Sequence, residues 1–312
     1  MGNANAQNAL GVFYQNGIGG VQEDKEKVVY YYSLAAEQGL AKAMFNLSNI
    51  CGKPGYPKTV SGNDSTKWCE FAAEGGYEKA IRKLCEIIID DKSTTSLENQ
   101  INWLKMAVKD EQLGTKAKIA LAMIYLKDGA LMDSELAIEY LRSAIIDGDP
   151  DAGYLLGNLL EFGNRQIKVN MKEAFNVYYQ TYEMCYAQGS KYCVAKCYYY
   201  GRGTRQNYEE AFEILSSVKE TDYRYSKYIP DYYDEIRYMI GVCHLYGHGT
   251  SINSPAAFKI FSSLPNMDKA QYQLGKMYLK GLYVRKDKEK AREILKPLAK
   301  KGCIEARNLL NS

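Results

Sequence analysis

Residues 6–19 read Ala6-Gln7-Asn8-Ala9-Leu10-Gly11-Val12-Phe13-Tyr14-Gln15-Asn16-Gly17-Ile18-Gly19. The frame returns near the other end with Ala270, Leu274, Gly275, Tyr278 and Gly281 at the same spacings. Between the two lie Ala43/Leu47, Ala80/Leu84, Ala117/Leu121 with Tyr125, and Ala152/Leu156/Gly157. Val194/Ala195/Tyr198/Gly201/Gly203 and Ile240/Gly241/Gly247/Gly249 follow, and Ala306/Leu310 opens a ninth copy. Anchors at 10, 47, 84, 121, 156, 194, 240, 274 and 310 are separated by 37, 37, 37, 35, 38, 46, 34 and 36 residues. Such a period is the mark of stacked supersecondary units.

Each unit carries two helices. Ala, Leu and Tyr at i, i+4 and i+8 draw an apolar stripe along the first. An Asp or Asn then stands four residues before a small residue, in Asp24/Val28, Asp133/Ala137, Asn170/Ala174, Asn207/Ala211, Asn253/Ala257 and Asp287/Ala291. Asp and Asn cap helices because the side-chain oxygen takes an orphan backbone N–H, so each pair marks the start of a second helix. Those helices close on Ala35-Ala36-Glu37-Gln38-Gly39, Ala72-Ala73-Glu74-Gly75 and Ala299-Lys300-Lys301-Gly302, with the glycine suited to a left-handed C′ position. The Gly after the Leu anchor leaves room for the second helix, and the Gly-x-Gly supplies the turn. One hairpin cannot bury its own apolar face, so neighbours must stack into a continuous core. The expected fold is all-α: a right-handed superhelical α/α solenoid of about eight two-helix repeats and a C-terminal half repeat.

Composition agrees. With 312 residues the chain exceeds one ordinary core, which asks for two domains or a repeat array. Forty basic and 37 acidic side chains nearly cancel to +3, so no nucleic-acid partner is expected. No run approaches a membrane helix, and the N-terminus lacks a signal-peptide core, so neither membrane insertion nor export is indicated and a cytoplasmic location is expected. The eight cysteines share no spacing and read as reduced thiols rather than a zinc cluster or disulfide framework. Tyrosine is the outlier, with 28 copies against 8 Phe and 2 Trp.

Residues 6–39, with the Ala/Leu-Gly/Tyr/Gly-x-Gly frame, the Asp24 cap and the closing Ala-Ala-Glu-Gln-Gly, resemble the Sel-1-like repeat family, kin of the tetratricopeptide repeats. The resemblance runs from about Asn5 to the end, with repeats approximately 5–40, 41–76, 77–113, 114–149, 150–188, 189–233, 234–267 and 268–303. Residues 304–312 read as a capping half-helix. Departures are Pro54 and Pro57 in the second copy, missing glycines after Leu84 in the third, and about ten extra residues around Thr221–Pro230 in the sixth. Met1 stands less than a turn before the first repeat, so further N-terminal sequence, a further domain or an artificial start is expected there.

The resemblance implies a protein-interaction scaffold or adaptor that assembles complexes, with no shared catalytic residues and no cofactor. It implies that first helices line a groove, through positions two before and two after each anchor. Two before, these are Asn8, Phe45, Arg82, Ile119, Tyr154, Tyr192, Tyr238 and Tyr272. Two after, they are Val12, Asn49, Glu86, Met123, Asn158, Lys196, Val242 and Lys276. Tyr154, Tyr192, Tyr238 and Tyr272, interleaved with Asn158, Lys196 and Lys276, are the expected binding face for a protein or peptide, since tyrosine joins a rigid apolar ring to one polar tip. The opposing reading is that these rings pack against the adjacent repeat. The insertion, with Tyr223, Arg224, Tyr225 and Tyr228, is a second candidate as an adaptable loop. A monomer is expected.

Other chemistry is weakly signalled. His244 and His248 are the only histidines, four apart, but the frame puts His248 in the turn, so no metal site is expected. The Gly-x-Gly links helices rather than following a strand, so no nucleotide loop is implied. A hydrolase or metal-dependent enzyme built on the repeats is the alternative. In a cysteine-rich bacterial branch of the resembled family, cysteines eight apart bridge the helices of every repeat; here that spacing occurs once, at Cys185 and Cys193, leaving at most one bridge.

Overall fold

The computed structural model describes the chain apart from residues 1, 59–63, 91, 94, 128, 186–187, 220–225 and 311–312, and apart from the side chains of Cys185 and Gln188. Every regular element among the described residues is an α-helix. Two compact units divide the chain, Met1–Ala144 and Ile145–Ser312. It is an all-α repeat solenoid, built as follows.

The first unit holds α1 (Ala4–Asn16), α2 (Lys25–Glu37), α3 (Ala41–Ile50), α4 (Ser65–Glu74), α5 (Glu78–Ile89), α6 (Leu97–Ala107), α7 (Gly114–Leu126) and most of α8 (Ser134–Ile146). From α1 to α7 each helix packs on the next. The second unit holds α9 (Pro150–Phe162), α10 (Met171–Cys185), α11 (Gln188–Tyr200), α12 (Tyr208–Ser216), α13 (Tyr233–Tyr246), α14 (Ser254–Ser262), α15 (Asp268–Lys280), α16 (Lys288–Lys300) and α17 (Ile304–Leu310). These also pack in chain order, and α9 reaches α11 directly.

The expected caps are present. Asp24, Asp133, Asn170, Asn207, Asn253 and Asp287 each accept a backbone N–H two or three residues on. Asp64 and Ser96 cap α4 and α6 in the same way, in the two copies whose sequence frame is most worn. One closing glycine shifts: Gly75 has φ −75°, and the left-handed residue after α4 is Gly76 at φ +78°.

Burial follows the residue four before the anchor, small in every copy but one, more faithfully than the anchor itself. Ala43, Ala80, Ala117, Ala152, Ser190, Ala270 and Ala306 are buried, as is the larger Ile236, while Ala6 of the first copy is exposed; of the anchors, Leu10 is 38% exposed and Ile240 only half-buried. Closely crossing helices have no room for a large side chain at their point of approach, so size is constrained most tightly there.

The two glycine positions do different work. A Cβ on Gly11 would stand 2.5 Å from the Tyr32 ring, one on Gly241 would stand 2.7 Å from Phe261, and one on Gly157 would enter the Tyr178 ring. The space is thus filled by a ring of the second helix. In the second hairpin Ser48 takes the glycine's place, and its neighbour across the hairpin is the small Cys69. The second turn glycine is a stacking point as well as a turn. A Cβ on Gly203 would collide with the carbonyl of Met171, and one on Gly249 with that of Tyr208. Each is the first residue of the preceding hairpin's second helix. In the last hairpin Tyr283 holds that position at φ +66°, its ring against Phe258 at 5.6 Å.

Candidate functional site

The tyrosine ladder lies wholly in the second unit. Tyr154 on α9 is only 6% exposed, and its hydroxyl sits 2.6 Å from the hydroxyl of Tyr232. Tyr192 on α11 stacks on the same Tyr232 ring at 4.2 Å; burial pushes its phenol up to about 12. Tyr232 stands two residues past the sixth-copy insertion and one residue before α13. The segment that follows the insertion therefore meets the ladder. The covering of Tyr154 is internal packing, the opposing reading of the ladder. Of the insertion residues, Tyr223, Arg224 and Tyr225 lie outside the described residues. Tyr228 donates its backbone N–H to Ser226 Oγ at 3.0 Å, and Lys227 lies over its ring at 4.9 Å.

Asn158 and Lys196 belong to a buried network. Tyr178, whose phenol is held far above its ordinary value chiefly by burial, places its hydroxyl 2.8 Å from Asn158 Oδ1 and 3.1 Å from Glu161 Oε2. Lys196 Nζ is 3.0 Å from Glu161 Oε1, and Arg202 approaches the same oxygen at 3.5 Å. A buried carboxylate needs such partners, because low dielectric makes an uncompensated charge expensive.

The rest of the ladder is open. Tyr238 is half-buried against Phe261 at 5.9 Å, and Tyr272 is half-buried against the cluster of Leu295 and Leu298. Lys276 Nζ donates to the Tyr246 hydroxyl at 2.8 Å, which in turn donates to Gln273 Oε1 at 3.2 Å.

Three residues outside the expected positions complete the face. Phe162, Tyr200 and Tyr246 are the last residues of α9, α11 and α13, and are 67%, 54% and 41% exposed. Each stands six after its anchor and just before the turn glycine, a signal the positions two before and two after cannot show. Each ring carries a cation: Lys196 over Phe162 at 5.9 Å, Arg202 over Tyr200 at 5.4 Å, Lys276 over Tyr246 at 5.3 Å. An ammonium or guanidinium is drawn to the negative face of a ring.

The histidines join aromatic packing. His248 stacks on Tyr208 at 4.3 Å with Nδ1 2.7 Å from the Tyr199 hydroxyl. His244 meets Phe212 edge-on at 5.3 Å, and burial lowers its pKa. No group of three or more His, Cys, Asp or Glu side chains gathers as a metal site among the described residues. Cys193 carries a free thiol and is buried; its expected partner's side chain, Cys185, lies outside the described residues. No helix of the described residues is long and apolar enough to cross a membrane.

No curated protein matches the chain in sequence. Among solved structures, a protective antigen of uropathogenic Escherichia coli with an SLR fold is similar over 99% of this chain, at 21% identity and a TM-score of 0.61. The chain spans only 64% of that protein. A Sel1 repeat protein from Oxalobacter formigenes is similar over 99% of this chain and 86% of its own, at 20% identity and a TM-score of 0.62. These likenesses are of fold. The model of the Sel1 repeat matches residues 4–40, 41–77, 115–149, 150–180, 190–217, 237–263 and 268–303, well over half of the chain. Between the second and third of these matches, α5 and α6 form a further hairpin whose worn frame the model passes over. Repeats of this kind generally act as protein-interaction scaffolds and are typically non-enzymatic. The chain belongs to the Sel1 repeat family.

Proposed function

We propose that the chain is an adaptor whose second unit binds a segment of a partner protein along the tyrosine-rich face of its first helices. The observation that carries this reading is the recurrence of an exposed ring, Phe162, Tyr200 and Tyr246, at the same helix end in three successive hairpins. Large rings left exposed at one structural position in hairpin after hairpin supply apolar surface that a partner could cover, and exposed apolar surface marks interaction sites. Tyr238, Tyr272 and Lys276 extend the face. Tyr154, Tyr192, Asn158 and Lys196 support it from beneath, with Tyr232 laid across the first two. Tyr223, Arg224, Tyr225 and Tyr228, in the insertion that precedes Tyr232, are proposed to contribute to the same contact.

The test is affinity capture from the source cell with wild type and with the Tyr200→Ala/Tyr246→Ala variant. Both rings are substantially exposed, so the melting temperature should stay within a few degrees while specific partners are lost. Equal capture by both proteins would refute the assignment of this face.

A further inference from the structure

Two of the three cation–ring pairs follow one rule. Lys196 and Lys276 each stand two residues after their anchors, Val194 and Leu274, and each reaches back over the terminal ring of the preceding first helix, Phe162 or Tyr246. Between them the corresponding position is Val242. There the turn of the sixth hairpin supplies the charge itself, placing Arg202 over Tyr200. A cation therefore recurs at every step although the sequence position that supplies it changes.

Charge along this strip is not balanced. Lys196 and Arg202 share the buried carboxylate Glu161, and Lys276 donates to the Tyr246 hydroxyl. The opposite end of α13 is acidic, where Asp231, Asp234 and Glu235 line an open cleft and Arg237 pairs with Asp234 at 3.5 Å. The helix ends are thus sorted, with anions at the start of α13 and cations near the ends of α9, α11 and α13.

From this arrangement we propose that the partner segment is acidic and extended, with its carboxylates set against Arg202 and Lys276 and apolar side chains on Tyr200 and Tyr246. The proposal rests on the binding face described above and adds the chemistry of its occupant. An anion arriving there completes a charge that the fold leaves in surplus, and the rings hold both cations in place before binding.

A library of random dodecapeptides displayed on phage is selected against the full chain, against Arg202→Glu/Lys276→Glu and against the milder Arg202→Gln/Lys276→Gln. Thermal melts confirm that each variant is folded. Wild type should enrich peptides rich in Asp and Glu, their affinity should fall with added salt, and charge reversal should weaken them by about tenfold or more. Enrichment of peptides that lose binding to Tyr200→Ala/Tyr246→Ala but show no acidic bias would overturn the acidic partner and leave the binding face standing. Enrichment of nothing, or only of peptides indifferent to both pairs of substitutions, would overturn the face as well.

Discussion

The ring of Tyr232 lies 4.2 Å from that of Tyr192 at an interplanar angle of 19°, and its hydroxyl is 2.6 Å from that of Tyr154. Three tyrosines from α9, α11 and the residue before α13 thus form one buried-to-half-buried cluster, with Tyr154 tilted at 53° to Tyr232. Tyr232→Phe removes only the hydroxyl pair and should cost about 1 kcal/mol. Tyr232→Ala also removes the ring from its two neighbours and should cost about 3 kcal/mol. Urea denaturation of the full chain measures both, and near-equal losses would show that the ring contact contributes little.

The glycines of the frame give a second prediction. Gly157→Ala drives a methyl into the Tyr178 ring, and overpacking of this severity should cost about 3 kcal/mol. Trimming Tyr178 to Leu in the same chain should recover part of it, because a side chain is what obstructs. Gly203→Ala meets the Met171 carbonyl at φ +73°, where backbone obstructs and no side-chain change should help. Gly39→Ala, with open space around it at φ +86°, should cost only the left-handed strain, about 1 kcal/mol. Melting temperatures of the four variants give the order directly.

The pair of Glu161 and Lys196 should be asymmetric. Lys196→Met leaves a carboxylate of 2% side-chain exposure with Arg202 as its remaining cation and the Tyr178 hydroxyl as donor, and should destabilise by about 3 kcal/mol. Glu161→Gln leaves an ammonium that can swing toward solvent, and should cost less. Combining Lys196→Met with Glu161→Gln should be milder than Lys196→Met alone. A double-mutant cycle checks this; strict additivity would rule out the coupling.

Alkaline pH should unfold the chain early. Burial raises Tyr32 and Tyr192 to about 12, and Cys85 and Cys193 likewise to about 12, with Cys197 and Cys243 at about 11. Unfolded, these groups lose protons near 10 for tyrosine and 8.5 for cysteine. The folded chain therefore holds more protons above those values. Its extra stability is complete below about pH 8 and declines as pH rises toward 12. Denaturation midpoints across that range should fall steadily, and a flat profile would contradict the burial. In a Cys185→Ser background at pH 8, Cys51 and Cys303 should react with a thiol reagent well before the five buried cysteines.

Much of this molecule is written in local sequence. A cap such as Asn207 acts within three residues, and a glycine such as Gly11 is defined by its distance from Leu10, so both can be read without knowing what lies across the hairpin. Burial at the ladder is different. Nothing near Tyr154 in sequence announces Tyr232, which is 78 residues away. The exposed rings were legible in principle, since Phe162, Tyr200 and Tyr246 all precede a turn glycine. They stand outside the two positions that the resemblance to tetratricopeptide hairpins selects, and their pairing with Lys196, Arg202 and Lys276 depends on contacts between hairpins. The roles of Gly203 and Gly249 also needed the structure, because the atoms they accommodate belong to the preceding repeat.

The central claim is tested most directly by placing a photo-crosslinking amino acid at position 246 and, in a second chain, at the exposed Glu213 of α12, then irradiating in the source cell. The account predicts a discrete crosslinked partner from position 246, lost when Tyr200 is also changed to Ala, and none of that species from position 213. The same partner from both positions, or no discrete species from position 246, would contradict it.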